Sequence, residues 1–148
     1  MHSTTSVRSA HVALIGNPNT GKSTIFGGLV GARQRVGNYP GVTVEKKTGT
    51  LLHGGVRLEI DDLPGTYSLA PRARDEMVAV DVLLGRSPAT EPVDAVLCIV
   101  DASNLARNLY LVSQVLELGL PVVVALNMID VAQQRGQRID VDALQREL

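Results

Sequence analysis

One short segment near the amino terminus constrains the fold more than any other part of the chain. It begins at Gly16 and fits the pattern of glycine, four residues and Gly-Lys-Ser/Thr that is typical of phosphate-binding loops. The run of residues 11–15 before it is typical of a buried strand, and residues 24–30 after it are typical of a helix. Strand, loop and helix in this order are the context in which the motif binds nucleotide phosphates. The sequence therefore predicts a nucleoside triphosphate site formed by Gly16, Asn17, Pro18, Asn19, Thr20, Gly21, Lys22, Ser23 and Thr24.

The residue types in this loop suit the chemistry of phosphate binding. Gly16 and Gly21 allow tight turns, so that consecutive backbone N–H groups can face phosphate oxygens, and the following helix adds the positive end of its dipole. Lys22 is the cation that can reach the β- and γ-phosphates, and the Ser23 hydroxyl is placed to bind Mg²⁺. The alternative is a glycine-rich turn with a surface lysine, and the full motif between strand and helix argues against it.

The composition is that of one soluble globular domain. The 148 residues carry a formal net charge of −1, which favours neither nucleic acid nor an anionic membrane as a partner. The single cysteine, Cys98, excludes an internal disulfide and lies in an apolar run, so we expect a buried, unreactive thiol. The amino terminus is unlike a signal peptide, and no apolar run approaches the roughly 18 residues of a membrane-spanning helix. We therefore expect a cytoplasmic location. The three histidines, His2, His11 and His53, have no metal-ligand spacing.

Predicted strands and helices alternate along most of the chain. Strands are expected at 11–15, 44–52, 56–60, 95–100 and 121–126, and helices at 24–30, 75–84, 105–118 and 141–148, the last capped by Asp140. This alternation predicts an α/β fold with a mostly parallel sheet and helices on both faces. The turn at 53–55 predicts a hairpin, which makes one edge strand antiparallel. Residues 31–41 are polar with glycine and proline, and are predicted to form a loop.

Further candidate site residues follow or precede other predicted strands. Asp62 comes directly after a strand, where a Walker-B carboxylate holds Mg²⁺, and the Gly65 N–H can meet the γ-phosphate. Thr43 lies in the loop before the second strand, where a hydroxyl can complete the Mg²⁺ shell. An ordinary turn is the alternative for residues 62–65 taken alone. Because ligands in such sheets lie beyond the carboxyl ends of the strands, we expect these residues to meet the phosphate loop.

The segment Asn127-Met128-Ile129-Asp130 follows the last predicted strand. A carboxylate at Asp130 can accept hydrogen bonds from N1–H and the 2-amino group of guanine, which adenine cannot offer. This indicates that the nucleotide carries guanine. A turn stabilised by the asparagine side chain would be the ordinary interpretation of the same residues elsewhere.

Taken together, these segments resemble the Ras-like GTPases, and in particular the amino-terminal G domain of the FeoB family of bacterial ferrous iron transporters. The resemblance covers nearly the whole chain from His11 and is carried by residues 16–24, 34–47, 62–69, 100–111 and 125–130. It implies a Ras-like P-loop GTPase fold. It also implies a domain that binds GTP, hydrolyses it slowly and acts as a nucleotide switch for iron uptake.

The resemblance also implies roles for individual residues. The implied catalytic residues are Lys22, Asn19, Thr43 and Gly65, and the implied Mg²⁺ ligands are Ser23, Thr43 and Asp62. Asn19 matches the asparagine that holds K⁺ in potassium-activated members; alternatively, it stiffens the loop by bonding to the backbone. The implied nucleotide-binding residues outside the phosphate loop are Gly41, Val42, Thr43, Asp62, Leu63, Pro64, Gly65, Asn127, Met128 and Asp130.

The chain differs from Ras-type enzymes at position 66 and from the FeoB pattern in two places. Thr66 stands where Ras-type enzymes carry a water-orienting glutamine, so slow intrinsic turnover is expected. Tyr39 stands where many relatives have tryptophan. The chain stops at Leu148, so a G domain covering residues 1–148 is expected to lack its last strand, a guanine-contacting loop and a closing helix. We expect the missing strand to weaken nucleotide affinity and to expose a sheet edge.

In the family, the G domain precedes a helical regulatory domain and a membrane part that carries Fe²⁺. The resemblance therefore implies a cytoplasmic domain of a bacterial inner-membrane protein. The helical domain and the membrane part would be its partners, and the resemblance allows an oligomer formed through the membrane part. Two alternatives remain open: a stand-alone GTPase of ribosome assembly, and a non-catalytic module that senses GTP or GDP. Arg33 and Arg35 are either internal arginine fingers or solvated loop charges.

Overall fold

The computed structural model describes residues 6–70, 72–88 and 90–148, and its centre is one six-stranded sheet. The strands are β1 (Arg8–Gly16), β2 (Gln34–Asn38), β3 (Glu45–His53), β4 (Val56–Asp62), β5 (Ala95–Asp101) and β6 (Val122–Asn127). Their order across the sheet is β2-β3-β4-β1-β5-β6. The pairs β1–β4, β1–β5 and β5–β6 are parallel, whereas β3 is antiparallel to both of its neighbours. The predicted α/β fold and the hairpin are confirmed.

The segment 31–41, predicted as a loop, contains strand β2, so this prediction is wrong in part. The five residues of β2 pair with β3, from Gln34 opposite Gly49 to Asn38 opposite Glu45. All five residues are exposed, and their sequence has no apolar alternation that would predict a strand. The outer edge of β3 provides the hydrogen-bonding partners instead. The antiparallel strand β3 is consequently one position inside the edge.

The described residues form five α-helices: α1 (Lys22–Val30), α2 (Arg74–Leu83), α3 (Leu105–Leu116), α4 (Ile129–Gln134) and α5 (Val141–Glu147). Helix α1 begins two residues before its predicted start, and the short helix α4 was not predicted. Helix α5 is capped as expected, because Asp140 Oδ1 accepts a hydrogen bond of 2.9 Å from the Ala143 N–H.

The two faces of the sheet carry two separate apolar cores, because successive side chains of a strand point to opposite faces. In β1, Ala13 and Ile15 pack with α2 and α3, whereas Leu14 packs with Phe26 and Val30 of α1. The predicted arrangement of helices on both faces is therefore confirmed. Cys98 lies in the first core, where burial raises the pKa of its thiol to about 12. The thiol is thus protonated at neutral pH, as expected.

Strand β6 is the outermost strand on the side away from β2, and its Val123 side chain is 63% exposed. The expectation that a further strand is missing here stays a prediction. Among the described residues, no helix combines the length and apolar character that crossing a membrane requires.

Candidate functional site

The phosphate loop lies at the carboxyl edge of the sheet, between β1 and α1. Gly21 adopts φ = +83°, and a Cβ atom there would lie 2.4 Å from Asn127 Nδ2, so only glycine fits without displacement. The Gly21 carbonyl accepts a hydrogen bond of 3.1 Å from the Ile25 N–H, which starts the hydrogen-bond ladder of α1. The remaining N–H groups of the first helical turn are available to an anion at this end of α1.

Two other strand ends are tied directly to this loop. The Thr66 N–H donates a hydrogen bond of 3.1 Å to the Gly16 carbonyl, which holds the segment after β4 against the phosphate loop. From the end of β6, Asn127 Nδ2 donates a hydrogen bond of 2.8 Å to the Thr20 carbonyl. The sequence assigned Asn127 to the nucleotide site. The residues next to Asn127 in sequence could not predict its hydrogen bond to Thr20, which lies 107 positions earlier in the chain.

Lys22 contacts Asp62, and both side chains are largely buried, with exposed fractions of 11% and 4%. Lys22 belongs to the first turn of α1 and Asp62 ends β4, so the two motifs predicted to meet are in direct contact. This ion pair neutralises a lysine and a carboxylate that would each be costly to bury alone.

A cavity of about 500 Å³ opens beside this ion pair. Ser23, Thr43 and Asp62, the three predicted Mg²⁺ ligands, all line it, together with Gly65. The Ser23 and Thr43 side chains are exposed, so their hydroxyls are accessible to a ligand. Folding thus places one hydroxyl from the first turn of α1 and one from the loop before β3 next to a carboxylate at the end of a strand. The complete lining is Lys22, Ser23, Thr43, Val44, Glu45, Lys47, Asp62, Leu63, Pro64, Gly65, Arg74 and Asp75.

A second cavity, of about 460 Å³, follows the phosphate loop from Asn17 to Thr24 and also includes Gly65. Asn19 lines this cavity with its backbone at φ = +64°. Asp75, in the first turn of α2, lines both cavities. Sequence reasoning did not identify Asp75, because nothing in the chain before folding indicates that the start of α2 faces the loop.

The remaining predicted residues differ in their surroundings. Asp130 lies in the first turn of α4 and is exposed, three positions after Asn127. Met128 between them adopts φ = +58° and caps that helix. Gly41 is exposed, and Val42 packs partly against the first apolar core.

Thr66 is buried, and its Oγ1 donates a hydrogen bond of 2.7 Å to the Ser68 carbonyl. Its hydroxyl is therefore engaged within its own loop. The expectation that Thr66 is a poor replacement for a water-orienting glutamine stays a prediction. Arg35 lies on β2, where it pairs with Glu59 at 3.1 Å as an exposed ion pair. Arg74 lines the cavity beside the ion pair of Lys22 with Asp62, and Arg107 lines a further cavity together with residues 17–20 of the phosphate loop.

His11 forms a buried pair that the sequence did not indicate. Its Nε2 lies 2.6 Å from Asp61 Oδ2, and its backbone N–H donates a hydrogen bond of 2.7 Å to Asp94 Oδ2. The hydrogen bond with Asp61, helped by the carboxylate charge, raises the pKa of His11 against the opposing effect of burial. His2 lies outside the described residues. In the part of the chain that the structure describes, no three His, Cys, Asp or Glu side chains are grouped to hold a metal ion.

The profile of the FeoB_N family, described as Ferrous iron transport protein B, matches residues 10–148. The chain belongs to the FeoB family. The Fe(2+) transporter FeoB of Legionella pneumophila (strain Lens) is 51% identical over 139 residues, which cover 91% of this chain and 18% of that protein. The chain thus spans about a fifth of the length of the curated relatives it matches.

Solved structures of the family have the same fold. The cytosolic domain of L. pneumophila FeoB gives a TM-score of 0.85 at 52% identity, covering 93% of this chain and 56% of that one. A variant of S. thermophilus NFeoB bound to mGDP also gives 0.85, at 49% identity, covering 95% of this chain and 52% of that one. The predicted family and its GTPase-type fold are therefore confirmed.

Proposed function

We propose that this chain binds guanine nucleotides, hydrolyses GTP slowly and serves as the nucleotide switch of a ferrous iron transporter. The observation that carries the proposal is the common cavity of Lys22, Ser23, Thr43 and Asp62 beside the phosphate loop. A GDP-type nucleotide bound to an FeoB relative of the same fold supports the choice of ligand. Membership of the FeoB family decides against the ribosome-assembly alternative.

Phosphate binding requires a change at the ion pair of Lys22 with Asp62. Lys22 would turn from the carboxylate toward the β- and γ-phosphates, whose charge replaces that of Asp62. The freed carboxylate and the hydroxyls of Ser23 and Thr43 are hard oxygen donors of the kind that Mg²⁺ prefers. One carboxylate suffices, because Mg²⁺ in such sites also binds the phosphates of the substrate. When bound, this ion neutralises charge on the phosphates.

The transfer step depends on groups that touch the γ-phosphate. Lys22 and the Gly65 N–H would stabilise its negative charge, and Thr43 would contact it from the loop before β3. The Thr66 hydroxyl donates its hydrogen bond to the Ser68 carbonyl, so we expect it not to orient water and we expect slow turnover. The Asn19 side-chain oxygen is a suitable ligand for K⁺ and lies on the loop where a cation would offset phosphate charge.

Guanine recognition would depend on Asp130 and Asn127. The exposed carboxylate of Asp130 can accept two hydrogen bonds from the base, and Gly41, Val42, Leu63, Pro64 and Met128 would contribute backbone contacts around the nucleotide.

In the whole protein, we propose that this G domain lies on the cytoplasmic face of the bacterial inner membrane. It would act on a helical domain and a membrane part that carries Fe²⁺. The chain covers 18% of a curated relative, which leaves ample length for both. That residues 1–148 form a G domain lacking its last strand and closing helix stays a prediction.

Nucleotide binding and hydrolysis by the purified chain test the proposal. A fluorescent GTP analogue should bind in the presence of Mg²⁺ and be displaced by GDP but not by ATP. Single-turnover hydrolysis should be slow, and faster in K⁺ than in Na⁺. Failure to bind guanine nucleotides would refute the proposal.

A second candidate, a module that senses nucleotide without hydrolysing it, is favoured by the engaged Thr66 hydroxyl. Binding without any single-turnover hydrolysis in K⁺ would establish that candidate instead. For the transport role, the gene for the full-length protein should restore ferrous iron uptake to bacteria that lack it, and a Lys22→Ala version should not.

A further inference from the structure

The loop that follows Gly65 runs along helix α3 and is held there at two points. The guanidinium of Arg107 stacks over the ring of Tyr67, with 4.2 Å between its Cζ atom and the ring centroid. Seven residues further along the helix, Gln114 Oε1 accepts a hydrogen bond of 2.7 Å from the Leu69 N–H. Residues seven apart lie on the same face of a helix, so one face of α3 holds both points of the loop.

Bonds inside the loop fix its shape but not its position. The Thr66 hydroxyl donates to the Ser68 carbonyl, and the Ser68 hydroxyl donates to the Ala70 carbonyl, so each bond spans only two residues. The two contacts with α3 span about 40 positions of sequence. The Thr66 N–H bond to the Gly16 carbonyl holds the start of the loop, and the two contacts with α3 hold the part that follows it.

Helix α3 is itself fastened to the sheet by Asn108, which is buried. Asn108 Oδ1 accepts a hydrogen bond of 3.1 Å from the Asp101 N–H at the end of β5, and its Nδ2 donates one of 2.8 Å to the Asn104 carbonyl. Buried side-chain amides with both groups satisfied make rigid connections. Arg107 and Gln114 thus hold the loop from a fixed support.

We propose that Arg107 and Gln114 are positioning residues for the backbone N–H of Gly65, and that they set the preference of the site for GTP over GDP. The inference rests on the proposed function. A Cβ atom on Gly65 would lie 3.2 Å from Pro18 Cα, so this backbone already packs against the phosphate loop. Only the triphosphate has a γ-phosphate for the Gly65 N–H to meet. Releasing the loop from α3 should therefore weaken GTP binding and leave GDP binding unchanged.

Nucleotide titrations and single-turnover hydrolysis with Arg107→Ala and Gln114→Ala test this assignment. Each variant should lose about three- to tenfold in GTP affinity and in hydrolysis rate, the scale of one hydrogen bond or one exposed cation–π contact. GDP affinity should stay at the wild-type value. Gln114→Glu keeps an oxygen acceptor for Leu69, and Tyr67→Phe keeps the ring under Arg107, so both should behave as wild type. Arg146→Ala, an exposed arginine of α5, is the matched control.

A loss shared equally by GTP and GDP would overturn the assignment, because it would make these residues general supports of the fold. Unchanged GTP affinity in both alanine variants would overturn it as well. Amide hydrogen exchange without nucleotide separates this inference from the proposed function. The Leu69 N–H should exchange faster in Gln114→Ala than in wild type, whether or not the chain binds GTP, and an unchanged rate would mean that the contact does not hold the loop.

Discussion

Replacing Lys22 with alanine should destabilise the chain itself, apart from any effect on ligand binding. The Lys22 and Asp62 side chains are 11% and 4% exposed, so the substitution leaves a nearly buried carboxylate without its counter-charge. Removing one partner of a buried ion pair costs about 3–5 kcal/mol of the free energy of unfolding. Because Asp62 borders the cavity, water can reach it, and we expect a loss near the lower end, about 3 kcal/mol.

Urea unfolding without added nucleotide, followed by circular dichroism, measures this loss. For a chain of this size, the same change should lower Tm by about 6–12 °C. Lys47→Ala is the matched control, because Lys47 lines the same cavity but is 32% exposed and lies 3.9 Å from Glu45. An exposed pair of this kind contributes at most about 1 kcal/mol.

A double-mutant cycle assigns the loss to the ion pair. In an Asp62→Asn background Lys22→Ala leaves no buried charge behind, so it should cost less than about 1 kcal/mol, and the coupling energy should be at least about 2 kcal/mol. Equal losses for Lys22→Ala and Lys47→Ala would refute the reasoning. So would a loss for Lys22→Ala that is the same with and without the Asp62 carboxylate.

Three further predictions concern the base, the γ-phosphate contact and pH. Asp130→Asn should shift base preference from guanine toward xanthine, measured by competition between GDP and XDP; retained guanine preference would place recognition elsewhere. Gly65→Ala should lower GTP affinity by about tenfold or more and leave GDP affinity unchanged, because the added Cβ would lie 3.2 Å from Pro18 Cα. A GTP affinity equal to that of the wild type would contradict the proposed contact between the Gly65 N–H and the γ-phosphate. The raised pKa of His11 means that its pair with Asp61 stabilises the fold fully below about pH 6.5, and that this contribution is lost as pH rises through the raised value. Urea unfolding across that range should show the decrease in wild type and not in Asp61→Asn.

Most of the fold could be predicted because its signals are local. The phosphate loop, the hairpin turn after His53 and the Asp140 cap each depend on a few adjacent residues. Strands β5 and β6 are continuous apolar runs, a pattern that predicts strands of a parallel sheet. The expectation that both are buried is correct for β5 and wrong for β6, which is an outermost strand and has no fully buried residue. Such features need no knowledge of distant parts of the chain.

Features created by long-range contacts could not be predicted. Strand β2 exists because β3 offers it a hydrogen-bonding edge, and its own exposed residues carry no pattern. The pair of His11 with Asp61 joins residues 50 positions apart, and Asp75 reaches the phosphate loop only through the path of the loop before α2. In each case tertiary structure supplies what the local sequence lacks.

The two residues proposed for guanine recognition also differ in their long-range contacts. Asn127 donates a hydrogen bond to the Thr20 carbonyl, and its Nδ2 also occupies the space next to Gly21. Any replacement of Asn127 therefore disturbs the phosphate loop together with the base site. Asp130 lies on the exposed first turn of α4. If Asp130 recognises the base as proposed, we expect its replacement to change base preference while phosphate binding is preserved, whereas a replacement of Asn127 should affect both.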